Sequence, residues 1–238
     1  MIATIINCIT VLIGSIIGLF IRNHINKEFK HIVETSAGLV TLLIGFSMGL
    51  GTDSYVVLLF SIIIGGMIGF YLHIHEGIYN LGTKIEKMTV KKGEGDSFAR
   101  GFLNASVLFC AGAMTILGSI QAGTTHDYEL LLVKSFLDGS MSIIFSATYG
   151  IGVMFSIIVI FIVQGFFTLL GSAIAPILGD AGITELAAAG GVMIIMIGFN
   201  LLEIKKIKTA NFLPSLILAP ILIKFIPPII DWFINILN

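Results

Sequence analysis

The chain has 238 residues and a formal net charge of −1; 56% of its residues are hydrophobic, 11% are charged, and its mean hydropathy is +1.04. A water-soluble domain of this size would aggregate if it exposed so apolar a composition, so a soluble globular protein is excluded. We therefore expect an all-α polytopic membrane protein, for which lipid is the main solvent.

Eight apolar stretches are long enough, at about 20 residues each, to cross the hydrocarbon core of a bilayer as helices. We number them spans one to eight. In chain order they cover Ile2–Ile21, Ile32–Leu50, Tyr55–Leu72, Phe98–Ile120, Glu129–Ala147, Ile151–Gly171, Glu185–Leu202 and Thr209–Ile226. The residues after Pro227 and Pro228 are too few to cross, so we expect Ile229–Asn238 to lie at the membrane interface.

The basic residues are concentrated in a few connecting segments of the chain. Eleven of the thirteen Lys and Arg residues lie in three stretches, each of which follows an odd-numbered span: 22–30, 84–100 and 205–208. Basic loops are retained on the cytoplasmic side during insertion. The sorting therefore predicts a multi-pass protein of the bacterial inner (cytoplasmic) membrane, with an external N-terminus and a cytoplasmic loop at 80–97.

The stretch that begins at Glu129 can be divided in two ways. A cut at Gly150 and Gly152 gives spans five and six. A re-entrant hairpin broken at Asp138 and Gly139 would instead change the number of spans. The pattern of apolar residues leaves both divisions open.

A weak internal repeat runs through the single integral domain, 1–238. The matching segments are Ala37–Ser47 with Gly190–Asn200, and Asn7 and Gly14-Ser15 with Gln164 and Gly171-Ser172. Spans one to three then correspond to spans six to eight, in repeat halves 1–76 and 151–226. Five crossings separate corresponding spans, so the copies would have inverted topology, as in many transporters. Chance similarity between segments rich in Gly, Ile and Leu is the alternative.

Span five carries an acidic residue, Asp138, well inside its apolar stretch. A carboxylate at such a depth costs about 3 kcal/mol on insertion scales. Lys134 lies one helical turn earlier and is expected to pair with Asp138, and Ser142 and Ser146 continue the same face. The stripe predicts a polar path with Asp138 as a titratable or ion-coordinating group. A structural clamp is the alternative, or a Lys134 side chain that extends to the interface.

Other polar residues would complete that path. They are Asn104, Thr115, Ser119 and Gln121 in span four, and Asn7 and Gln164 in the repeat-related spans. The two repeat-related amides would meet near a pseudo-two-fold axis or bond to neighbouring helices. For each residue alone, an interhelical hydrogen bond worth about 0.6 kcal/mol is the simpler explanation.

Other chemistries are less well supported. Glycine pairs at four-residue spacing predict close helix packing, with homodimerisation as a second use: Gly14/Gly18, Gly45/Gly49 and Gly65/Gly69. The histidines and the two cysteines lack metal-ligand or disulfide spacing, so we expect neither a metal nor a cofactor. The basic loops lack interleaved aromatic residues, which favours contact with lipid headgroups over nucleic acid. Without a nucleophile–base pair or a phosphate-binding loop, we expect no enzyme activity.

Several segments of the chain resemble the YqgA/YdfK-type family of uncharacterised bacterial multi-pass inner-membrane proteins. They are Asn7–Gly18, Phe109–Gln121, Lys134–Gly139, Gly150–Gly152 and Leu213-Pro214. Within them, Met114, Gly118, Ser119, Gln121, Lys134, Asp138 and Gly139 match the motif that is most typical of the family. The segment His73–Glu76 departs from the expected Arg-Ile-Glu-Glu-like pattern. The resemblance implies a multi-pass membrane protein and draws attention to this motif, but it implies no specific activity.

Two hypotheses of function follow. The first is a small secondary transporter or channel for a small solute or ion, with a polar path lined by spans four and five. The second is a non-transporting membrane scaffold or partner-binding protein with a dry interior, in which the Lys134–Asp138 pair is sealed by packing.

Overall fold

A computed structural model describes the backbone of residues 1–22, 27–89, 95–110 and 113–237, together with most of their side chains. Within these ranges the chain forms nine α-helices, two short 3₁₀ helices and no β-strand, which confirms the all-α class. The α-helices are α1 (Ile2–Arg22), α2 (Lys27–Gly49), α3 (Tyr55–Tyr71), α4 (Ile74–Thr89), α5 (Gly95–Cys110), α6 (Ala113–Thr124), α7 (Glu129–Tyr149), α8 (Ser156–Leu201) and α9 (Ser215–Leu237). The 3₁₀ helices are Gly150–Val153 and Thr209–Phe212.

In the described ranges, five helical segments are long and apolar enough to cross a membrane: Ile2–Arg22, Glu129–Val153, Ser156–Ile174, Pro176–Leu201 and Thr209–Ile226. The number rises to seven if two bent pairs each count as one span. These pairs are α3 with the start of α4, bent by 56°, and α5 with α6, bent by 57°. Helix α2 contributes the shorter apolar segment Gly38–Gly49. Every predicted span therefore coincides with a helix or a bent pair, while the total of eight stays a prediction.

The exposed surface of the described chain is apolar. Phe136, Leu43 and Leu169 have 78%, 69% and 69% of their surface exposed, and many other large apolar side chains are exposed with them. Buried positions, in contrast, include a lysine, an aspartate and several serines and threonines. Because a soluble protein buries its apolar side chains and exposes its charges, this distribution fits a molecule surrounded by lipid.

Helix α7 runs without a break through Asp138 and Gly139 and ends at Tyr149. The chain then turns through the 3₁₀ helix, which begins at Gly150 with a φ of 81° that glycine adopts without strain. The division at Gly150 is therefore confirmed, and a hairpin broken at Asp138 is not formed.

One predicted boundary is wrong because helix continues where a loop was expected. Helix α8 contains both span six and span seven, with a break at Gly179, where φ is 65°, so no long connector separates them. The eighth candidate span keeps its predicted bounds, Thr209–Ile226. Helix α9 continues through Pro227 and Pro228 to Leu237, although each proline removes a backbone donor, and the interfacial position of residues 229–238 stays a prediction. Helices of membrane proteins tolerate such residues when neighbouring groups satisfy the freed carbonyls.

The predicted cytoplasmic loop at 80–97 is helical at its start, because α4 extends to Thr89. Helix α5 begins at Gly95, and residues 90–94 lie outside the described ranges. At its start α5 is held to the end of α7, because the Ser97 hydroxyl donates to the carbonyl oxygen of Tyr149 at 2.7 Å.

Three close helix pairs organise the bundle, and each uses a predicted glycine face. Gly14 and Gly18 of α1 pack on backbone carbonyls of α7, Gly45 packs on α8, Gly65 packs on the start of α9, and Gly69 packs on Asn211 of the 3₁₀ helix Thr209–Phe212. Helices α1 and α7 run in the same direction, because Asn7 contacts Asp138 and Gly18, further along α1, lies against Ser146, further along α7. The chain itself covers these glycine contacts, and the homodimer stays a prediction.

Candidate functional site

Three polar side chains meet in the interior between α1 and α7. The Lys134 ammonium donates to both carboxylate oxygens of Asp138, at 2.8 and 2.9 Å, which confirms the pairing predicted from their spacing. The Asn7 side-chain nitrogen donates to the Asp138 Oδ2 atom at 2.9 Å. Only 6% of Lys134, 5% of Asp138 and none of Asn7 is exposed. The cluster is therefore a buried ion pair bound by a carboxamide from a second helix.

Close approach of α1 and α7 holds this cluster together. A Cβ atom on Gly14 would overlap the Gly139 carbonyl oxygen and the Ser142 hydroxyl, so only glycine allows the two backbones to meet here. The Thr10 hydroxyl lies 2.9 Å from the carbonyl oxygens of Asn7 and Ser135, and so links the two helices. The ion pair thus sits on a rigid interface.

A helix break interrupts span four next to α7. Segments Ser97–Cys110 and Met114–Thr124 are bent by 57°, and residues 111–112 between them lie outside the described ranges. The Thr115 hydroxyl donates at 2.9 Å to the carbonyl oxygen of Phe109, six residues earlier, a relation that a continuous α-helix does not produce. The centroid of the Phe109 ring in α5 lies 6.4 Å from that of Phe145 in α7, and a Cβ atom on Gly118 of α6 would lie 3.2 Å from the Leu131 side chain. Span four is therefore a bent pair whose two arms both pack on α7.

The structure places the other predicted path residues in different environments. Asn104, Thr115 and Ser119 are buried, whereas Gln121 is partly exposed. Ser142 donates to the Gly139 carbonyl oxygen at 2.7 Å. Asn7 bonds to Asp138 and not to Gln164, so its amide makes an interhelical hydrogen bond. Gln164 is fully buried on α8, and neither polar atom of its amide has a partner in the described structure.

A second buried carboxylate, Glu185, was not identified as a candidate from the sequence. It is fully buried on α8 and accepts hydrogen bonds from the Thr52 hydroxyl at 2.7 Å and from the backbone amides of Asp53 and Ser54 at 2.7 and 3.1 Å. Those amides lie at the start of α3, where free N–H groups favour a negative charge. The Thr-Asp-Ser sequence before α3 signals a helix cap, but only the fold shows that α8 supplies the acceptor.

We expect Glu185→Gln to lower the free energy of unfolding by about 1–3 kcal/mol, because the neutral amide loses charge-assisted hydrogen bonds to the α2–α3 turn. Thermal unfolding of the detergent-solubilised protein measures the change. The matched control is Glu203→Gln, since Glu203 is exposed and should be insensitive. Equal melting temperatures for the two variants would contradict a stabilising role of the hydrogen bonds between Glu185 and the α2–α3 turn.

Metal coordination has no support in the described part of the chain. No group of three His, Cys, Asp or Glu side chains there is arranged to hold an ion. The backbone amide of His75 donates a hydrogen bond to the Asn211 side-chain oxygen at 2.9 Å.

Comparisons with known proteins agree with this description. The family described as "Protein of unknown function (DUF554)" matches residues 2–224. The chain is 33% identical over 227 residues to "Uncharacterized membrane protein YdfK" of Bacillus subtilis (strain 168), covering 94% of this chain and 96% of the relative. It is 27% identical over 217 residues to "Uncharacterized protein YqgA" of Escherichia coli (strain K12), covering 90% and 92%. No solved structure matches significantly. The resemblance drawn from the sequence motifs is confirmed.

Proposed function

The chain belongs to the DUF554 family of membrane proteins, and we propose that it is a small secondary transporter or channel for a small solute or ion. The polar path is lined by α7, by the bent pair α5–α6 and by the facing part of α1. The observation that carries the proposal is the Lys134–Asp138 pair, buried in the interior and bonded to Asn7.

The energetics of this pair favour a functional role over a purely structural one. Well-packed apolar residues stabilise an interior as well as a buried ion pair does, or better, because both charges must be desolvated. Ionisable groups inside membrane proteins are accordingly rare and usually mark pathways for ions, protons or substrates. Packing alone therefore does not account for Lys134 and Asp138.

The bend between α5 and α6 supports the same function. Non-helical backbone at membrane depth is tolerated only where protein buries it or where it lines a cavity. Many transporters place discontinuous helices at their binding sites, because the broken ends present free backbone groups to the solute. Helix α5 packs on α7 at Phe145 and α6 packs on it at Leu131, on either side of Asp138 in the sequence of α7, and this fits such an arrangement.

Contacts between α2 and α8 support the inverted repeat. A Cβ atom on Gly45 would lie 2.9 Å from the Gly191 carbonyl oxygen, and one on Gly198 would lie 3.3 Å from the Gly38 carbonyl oxygen. In the sequence alignment Gly45 corresponds to Gly198, and Gly38 corresponds to Gly191. Two-fold symmetry requires such reciprocal contacts. We infer repeat halves at 1–76 and 151–226 that exchange conformations during alternating access.

Helices α1 and α8 add a second line of support. Four buried positions along α1, namely Ala3, Asn7, Val11 and Gly14, align with four buried positions in α8, namely Ile160, Gln164, Thr168 and Gly171. The buried Thr4 and Ser15 instead align with the exposed Phe161 and Ser172. Glycines at the end of both series pack closely on a neighbour, Gly14 on α7 and Gly171 on α6. The two helices therefore share part of their inward face. We also propose the inner-membrane orientation with an external N-terminus that the basic loops indicate.

Flux into proteoliposomes tests the function. The probes are protons, Na⁺, K⁺, Cl⁻, urea and glycerol, each compared with protein-free vesicles. We expect the wild type to accelerate at least one probe and Asp138→Asn to abolish that flux, whereas Asp53→Asn, at an exposed carboxylate, leaves it unchanged. Unchanged flux in Asp138→Asn would remove this residue from the mechanism.

A scaffold is the second candidate, because both oxygens of Asp138 are already bonded to Lys134. A sealed pair of this kind needs no water and predicts no flux for any probe. Vesicles containing wild-type protein that behave like protein-free vesicles throughout the panel would establish the scaffold in place of the transporter.

A further inference from the structure

The free hydrogen-bonding atoms of the interior belong to uncharged groups. The described chain buries three charged side chains, and all of them are paired: Lys134 with Asp138, and Glu185 with the α2–α3 turn. Buried polar atoms without a partner include those of Thr4, Asn7, Ser15, Ser146, Gln164 and Thr168. For Asn7 the free atom is the side-chain oxygen, and for Gln164 both amide atoms are free.

This inventory restricts what the interior binds. A cation would have to displace the Lys134 ammonium from Asp138, and an anion would have to displace the carboxylate from Lys134. Either exchange leaves an uncompensated charge in a medium of low dielectric constant, which is costly. An uncharged solute can instead bond to the free amides and hydroxyls while the ion pair stays intact.

Gln164 is the strongest binding candidate among the free groups. A serine or threonine hydroxyl within a helix can rotate towards a carbonyl oxygen of the preceding turn, whereas both ends of this longer carboxamide need partners. Gln164 is fully buried, and leaving such a group unpaired costs about 1–3 kcal/mol. Thr168, one turn further along α8, has a buried free hydroxyl on the same face.

Helix α1 connects Gln164 to the ion pair. The Met1 side chain, just before α1, lies 3.4 Å from the position that a Cβ atom on Gly165 would occupy. The Cys8 Sγ atom of α1 lies 3.9 Å from the Ile157 carbonyl oxygen at the start of α8. Thr4 and Asn7 lie one turn apart between these contacts. The same helix therefore contacts the first half of α8 and bonds to Asp138.

We propose that the transported solute is a small uncharged molecule that donates and accepts hydrogen bonds, of the size of urea or glycerol, and that Gln164 binds it. This inference rests on the proposed transport function. Urea and glycerol are suitable probes of this class, because each is uncharged and both donates and accepts hydrogen bonds. In the repeat, Gln164 is the counterpart of Asn7, so each half supplies one carboxamide.

The test compares Gln164→Leu with the wild type in vesicles. Leucine keeps a similar volume but removes both hydrogen bonds, so we expect urea or glycerol flux to fall about tenfold. The melting temperature should stay equal or rise, because an unpaired buried amide is removed. A merely structural role for Gln164 predicts the opposite, a lower melting temperature. The matched control is Ile162→Leu, at an exposed position of the same helix.

Four outcomes are distinguishable. Selective loss of urea or glycerol flux in Gln164→Leu, without loss of stability, supports the inference. Flux of an ion that depends on Asp138 overturns the uncharged solute but keeps the transporter. Wild-type urea or glycerol flux that Gln164→Leu leaves unchanged overturns the role of Gln164. Absence of any flux in the wild type overturns both proposals.

Discussion

Asp138→Ala should lower the free energy of unfolding by about 3–5 kcal/mol, since it removes one partner of a buried ion pair. The Lys134 ammonium, which is 6% exposed, would lose both of its oxygen acceptors, and the Asn7 amide nitrogen would lose its acceptor as well. Thermal unfolding in detergent, followed by circular dichroism, measures the loss. Asp53→Ala, at an exposed site, is the control and should change little.

A double variant separates the stability of the pair from its function. Lys134→Met with Asp138→Leu removes both charges and retains apolar volume, so we expect it to recover most of the stability lost in Asp138→Ala. It should still be inactive in the flux assay, because two apolar side chains replace the polar lining of the proposed path at this point. A double variant as unstable as the single one would show that the interface needs the charges to fold.

Gly14→Ala is expected to destabilise the protein by about 1–3 kcal/mol, the range for overpacking a tight interior contact. The new methyl group would overlap the Gly139 carbonyl oxygen and the Ser142 hydroxyl, so α1 and α7 would have to separate. That separation would also lengthen the bond between Asn7 and Asp138. We therefore expect flux and stability to fall together, measured in the same vesicle and unfolding assays.

Gly77→Ala is the matched control for the Gly14 variant. No atom lies within 4 Å of the position of its Cβ atom, and Gly77 is inside α4. Alanine is the better helix former, so the free energy of unfolding of the Gly77→Ala variant should be unchanged or up to about 1 kcal/mol higher. If both variants were equally unstable, overlap at the α1–α7 contact would not explain the instability of the Gly14 variant.

Much of the architecture could be predicted because it depends on local patterns. A helix must hold about 20 apolar residues to cross a bilayer, and each predicted span coincides with a helix or a bent pair. The Lys134–Asp138 pair follows from a spacing of four on one helix face. The helix breaks were harder to place, since Gly179 and the end of α5 at Cys110 lie in stretches whose composition also suits a continuous helix or a loop.

The partners of the site residues could not be predicted. Nothing in the sequence assigns Asn7 to Asp138, which is 131 residues away, or Glu185 to the turn before α3. Both pairings depend on which helices adjoin, and glycine positions decide this through close backbone contact. The sequence predicted glycine faces without indicating whether they meet a second copy or another helix of the same chain.

The amino-acid sequence by itself determined that this protein lies in a membrane, where its helices are, and that a lysine and an aspartate share one helix face. These properties depend on hydrophobicity and on residue spacing along one helix. Only the tertiary structure decided that α1 supplies Asn7 to the ion pair, that α8 caps α3 with Glu185, and that the amide of Gln164 is buried without a partner. Each of these depends on steric fit between helices distant in sequence, because close packing at atomic distances selects neighbours among many equally apolar surfaces.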